Sequence, residues 1–99
     1  MLKFKEGVSI LGASNQVSLG ITCAHSVYLW FGEICTVTSV VDGKHGKHSH
    51  HKKGCAFDLR TRGVNVPENT LVEMLQDSLG DEWQVILEVD HIHVEYDPK

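Results

Sequence analysis

The sequence predicts an α+β fold, a small antiparallel sheet of about four strands with two main helices. Two runs of helical apolar spacing, each followed by short β-branched or alternating runs, carry that expectation. From Leu19 to Glu33 the residues Ile21, Cys23, Ala24, Val27, Tyr28, Leu29, Trp30 and Phe31 recur at mostly helical spacing, as expected of a largely buried helix that ends near Gly32. Cys35 to Val41 is short and β-branched, and Asp42-Gly43 should close this strand with a turn. Residues 43–54 hold Gly, Lys, His and Ser with almost nothing apolar and read as a loop. Cys55 to Arg60 reads as the second strand, with Ala56 and Asp58 on one face and Phe57 and Leu59 on the other. Pro67-Glu68-Asn69 begins a helix running to about Leu79, with Leu71, Met74, Leu75 and Leu79 on one side and Gly80 beyond its end. Trp83 to Val89 and His91 to Tyr96 are two further strands, joined near Asp90 by either a tight hairpin or a bend.

At 99 residues, with 41% hydrophobic and 22% charged residues, the chain is expected to form one globular domain, residues 1–99, acting as a monomer. A bound metal would help so small a core. The formal charge of -4 and the lack of aromatics among the basic residues argue against nucleic acid as a partner. Lys44, Lys47, Lys52, Lys53, Arg60 and Arg62 nevertheless make the middle locally basic. Three cysteines, Cys23, Cys35 and Cys55, are odd in number and unclustered, which suits a reducing compartment better than a disulfide framework. The first residues carry no secretory signal pattern and no apolar run reaches membrane-spanning length, so synthesis in the cytoplasm and no membrane partner are expected.

The chemistry concentrates in Ser49-His50-His51-Lys52-Lys53-Gly54-Cys55-Ala56-Phe57-Asp58 and in a later Asp90-His91-Ile92-His93. A catalytic zinc takes three protein ligands and keeps water in its fourth position, and His51, Asp58 and His93 supply suitable donors. Two ligands seven residues apart do not meet on a straight helix, where that step rises roughly 10 Å. A bend at Gly54 would let His51 fold back over the strand carrying Asp58. On the last strand His91, His93 and Glu95 share a face, while Ile92, Val94 and Tyr96 point into the core.

The pattern Ser49-x-His51-x-x-Gly54-x-Ala56-x-Asp58 with Asp90-His91-x-His93 closely resembles the M15 zinc peptidases, which include D-alanyl-D-alanine carboxypeptidases, dipeptidases and phage L-alanyl-D-glutamate endolysin peptidases. The resemblance covers roughly residues 19–97. It implies a Hedgehog/DD-peptidase-like fold with its zinc site on the sheet, and hydrolysis of a D-amino-acid-containing peptide bond of peptidoglycan. It further implies His51, Asp58 and His93 as zinc ligands, Asp90 as general base and acid, His91 as oxyanion partner and Ser49 as substrate-orienting residue. A phage-type product of this kind would reach the cell wall after the membrane is breached. Asp90 and His93 fall on opposite faces of a regular strand, so Asp90 must lie at a bend or strand start. Glu88, three residues before His91, is the second candidate for the acid.

Relatives often carry an arginine soon after the Thr-Ser of the first strand, where Val40 and Val41 stand here. Lys44, Lys47 or Arg60 are the available substitutes. Loss of that arginine also fits an alternative, a catalytically weak or inactive zinc-stabilised binding or assembly module. Simpler roles compete at several positions. His45, His48 and His50 read as solvated loop residues, Asp90 as a turn residue, Ser49 as a local hydrogen-bonding residue and Cys55 as a packed thiol. Trp30 and Trp83 are expected in the core, and His25 as a hydrogen-bonded buried histidine.

Overall fold

A computed structural model describes residues 1–10, 13–40 and 55–98. The elements run β1 (Leu2–Phe4), α1 (Asn15–Trp30), β2 (Cys35–Val40), β3 (Ala56–Arg60), α2 (Glu68–Leu79), β4 (Trp83–Leu87) and β5 (His91–Tyr96). The expected Asp42-Gly43 turn and the 43–54 loop lie outside the described residues. The strands form one mixed sheet in the order β1-β2-β3-β5-β4. Two helices on a sheet match the expected α+β class, but there are five strands rather than about four, and the sheet is not wholly antiparallel. The added strand is β1, which pairs parallel with β2 from Leu2 opposite Cys35 to Phe4 opposite Val37. Three residues are too few to display a period of two, and a parallel pairing is set by the intervening helix rather than by a local turn.

Helix α1 begins four residues earlier than its apolar pattern suggests. Ser14 caps it, its Oγ accepting from the Val17 N–H at 3.3 Å. Its end is a Schellman motif: Gly32, at φ 71°, donates to the Leu29 carbonyl and Glu33 to that of Tyr28, both at 2.9 Å. Val17, Gly20, Ile21, Ala24, Val27 and Tyr28 make the buried stripe. The helix is nonetheless not largely buried, because Leu19, Leu29 and Trp30 lie off that stripe. Trp30, expected in the core, is 78% exposed. Trp83 is in the core, edge-on to Phe57 and packed against Tyr96.

The core lies between the helices and one face of the sheet. Cys35, Val37 and Val40 all face it although the last two are three residues apart. A bulge at Thr38 makes this possible: Val37 pairs with Leu59, Ser39 with Asp58 and Val40 with Phe57. Helix α2 packs through Leu71 and Leu75. The Gln76 side chain ties its end to β4, donating from Nε2 to the carbonyls of Gly80 (3.0 Å) and Trp83 (2.8 Å) and accepting from the Val85 N–H at Oε1 (3.1 Å). No helix among the described residues is long and apolar enough to cross a membrane.

Gly20 lets α1 lie directly on the core aromatics. A Cβ there would sit 2.5 Å from the Trp83 ring and 2.9 Å from that of Phe57. Gly20→Ala is therefore expected to destabilise, overpacking of about 1–3 kcal/mol outweighing the roughly 0.5–1 kcal/mol of helix propensity gained. A denaturant midpoint at or above the parent's would contradict this packing. Gln76→Leu strands three polar partners and should cost about 1–3 kcal/mol, read in the same titration.

Candidate functional site

Because the helices cover one face of the sheet, the other carries the polar side chains of each strand. Across β3 and β5 the register sets Asp58 opposite His93, Arg60 opposite His91 and Ala56 opposite Glu95. The intervening pairs, Phe57 with Val94 and Leu59 with Ile92, are fully buried. A slip of one residue would expose those four side chains and bury the charged ones, so core burial holds the polar face in register.

The result is a row of alternating carboxylates and imidazoles. Asp90 Oδ1 lies 2.7 Å from His91 Nδ1, and His91 Nε2 lies 3.9 Å from Asp58 Oδ2. Asp58 Oδ1 is 2.9 Å from His93 Nδ1, and His93 Nε2 is 2.8 Å from Glu95 Oε1. The hydrogen bond to Asp58 pushes the His93 imidazole up to about 8; burial opposes this and Glu95 adds to it. The bond from His91 holds the exposed Asp90 carboxyl below the usual carboxylate range.

Of the residues singled out from the sequence, Asp58 and His93 are brought into direct contact. His51 and Ser49 lie outside the described residues, as do His45, His48 and His50. Asp90 occupies a tight hairpin between β4 and β5, closed by the Glu88 N–H donating to the His91 carbonyl at 2.9 Å. It therefore sits at a strand start and lines, with Asp58, His91 and Thr38, a hollow of about 340 Å³. Glu88 does not line that hollow. Val40, in the region where the peptidases that the motif resembles often carry an arginine, points into the core at 3% exposure. His25 Nε2 is buried without a hydrogen-bond partner among the described residues, contrary to the expected hydrogen-bonded histidine. Cys23 and Cys35 are free thiols, and burial pushes Cys35 up to about 12.

Among the described residues no three His, Cys, Asp or Glu side chains converge to hold a metal. The reason is geometric, since Asp58 and Glu95 meet different nitrogens of one imidazole. Compared with known proteins, the chain matches no family model, no curated protein and no solved structure. The resemblance to zinc peptidases is thus carried by the motif residues.

Two groups escaped the sequence reading. Glu95 shares the predicted polar face of β5, but only the fold shows it holding the His93 ring. Lys5 reaches the hollow because β1 exists, and its signal is no more than a lysine in a short N-terminal run.

The His93 contact makes metal-free stability pH-dependent. Folding favours the protonated ring, so the contribution, on the order of 1–2 kcal/mol, is whole below about 6.5 and lost as pH rises through about 8. Melting of chelator-treated protein should drop across that window, and His93→Gln should flatten the drop. An unchanged slope in the variant would show that other groups govern it.

Proposed function

We propose that the chain is a zinc-dependent peptidase hydrolysing a D-amino-acid-containing peptide bond of bacterial peptidoglycan, in the manner of an endolysin or DD-carboxypeptidase. The observation that carries this reading is the 2.9 Å contact of Asp58 with His93 on the open face, with Asp90 and His91 bordering the same hollow. Asp58 and His93 offer an oxygen and a nitrogen to one centre, and His51 would complete the set. Seven residues of chain span up to about 25 Å when extended, so length is no bar to its return. His93 would bind through Nδ1 while its Nε2–H is donated to Glu95, the carboxylate support that fixes tautomer and raises basicity in metal-ligating histidines.

When bound, zinc lowers the pKa of water at its open position to about 7 and polarises the scissile carbonyl. Asp90 takes the proton of the attacking water and passes it to the leaving amine. His91, oriented by Asp90 through Nδ1, offers Nε2–H to the developing oxyanion, and Ser49 orients the peptide. A second reading, a zinc-stabilised module with little or no catalysis, is favoured by one feature. The depressed Asp90 carboxyl is a reluctant proton donor.

Purified peptidoglycan digested by zinc-loaded protein and analysed by mass spectrometry should release peptide fragments, and chelation should stop it. Asp90→Ala should slow release by about 10²–10⁴-fold with zinc still bound. Glu95→Gln should weaken zinc about 10–100-fold. Stoichiometric zinc with unchanged muropeptides in every sample would leave the non-catalytic reading.

A further inference from the structure

Lys5, Arg60 and Arg62 line both the 340 Å³ hollow beside Asp58 and an adjoining one of about 650 Å³, forming the partition between them. They come from three places in the chain. Lys5 follows β1, its backbone N–H bound to the Val37 carbonyl at 2.8 Å; Arg60 ends β3, its carbonyl accepting from the Tyr28 hydroxyl; Arg62 lies in the turn beyond. Among the described residues no ion pair engages any of the three, and the nearby Asp58 and Asp90 are committed to His91 and His93. Glu6 and Glu33 stand on the larger hollow without pairing to them. Three cations sharing one wall repel each other, and an anion seated among them relieves that repulsion.

We infer that Lys5, Arg60 and Arg62 form a carboxylate-binding subsite that seats a peptide beside Asp58, in the hollow that Asp90 and His91 also line. The inference rests on the peptidase reading and supplies the carboxylate recognition that Val40, pointing inward, does not. A monoanion fits better than a polyanion, because Asp58 and Asp90, which line the same smaller hollow, repel further negative charge. Guanidinium groups match a carboxylate with two parallel hydrogen bonds. Phe4, Ile34 and Val64 in the larger hollow give small alkyl side chains a surface. The carboxylate is either the peptide's C-terminus or a glutamate side chain, which share this chemistry.

The test is an NMR titration of the zinc-loaded chain and of its Asp90→Ala form with two matched pairs of probes. One pair is acetyl-D-alanyl-D-alanine and its C-terminal amide; the other is an end-capped peptide containing D-glutamate and its D-glutamine counterpart. In at least one pair the acid should bind about tenfold tighter or more, roughly 1.4 kcal/mol, shifting the amides of Lys5, Arg60 and Arg62, and the pair affected identifies the source. Arg62→Gln and Lys5→Gln should each weaken the preference, and Arg60→Gln with Arg62→Gln should erase it; Lys5 and Arg62 are exposed, so folding is not at issue for the single variants. Equal binding of acid and neutral forms, or a preference that survives these substitutions, overturns the subsite. Hydrolysis without preference would refute the subsite alone, and preference without hydrolysis would refute the peptidase reading alone.

Discussion

The pairing of β3 with β5 is the constraint on which the site depends. Phe57, Leu59, Ile92 and Val94 are each fully buried, and their alternation forces Asp58, Arg60, His91, His93 and Glu95 onto the opposite face. Hydrophobic burial fixes the register, and the register sets the distances between titratable groups. The polar row need not stabilise the fold to be held in place. A slip of the strands would forfeit the core, whatever the row contributes.

Charge along that face is divided by position. Asp58, Asp90 and Glu95 gather around two imidazoles, while Lys5, Arg60 and Arg62 line the hollow that Asp58, Asp90 and His91 also border. The separation arises from topology: β3 contributes one residue to each group, β5 and its hairpin supply the acids and histidines, and the parallel β1 delivers Lys5. The bulge at Thr38 serves both faces, keeping Val37 and Val40 in the core while Ser39 stays level with Asp58.

How legible each part was follows from how local its cause is. The alternation of β5 and the helical spacing of α2 are local, and both appear where the sequence places them. The start of α1 was obscured because its first turn is polar, although Ser14 is a capping residue. Trp30 is exposed against expectation because Leu19, Leu29 and Trp30 carry apolar character beyond the buried stripe of α1, and composition does not say which side meets the sheet. The hairpin at Asp90 was one of two open alternatives, decided by the pairing of Leu87 with Ile92.

By itself the sequence determined the α+β class, the polar face of β5, and the residue types, His, Asp and Glu, suited to hold a cation. Those properties follow from periodicity and side-chain chemistry, which act over a few residues. The motif resemblance implied that Asp58 and His93 meet across 35 positions of chain, but only the tertiary structure decided that Glu95 holds the other nitrogen and that Lys5 joins Arg60 and Arg62. Contacts between distant segments depend on register and strand order, and these are set by the burial of the whole core rather than by any one segment.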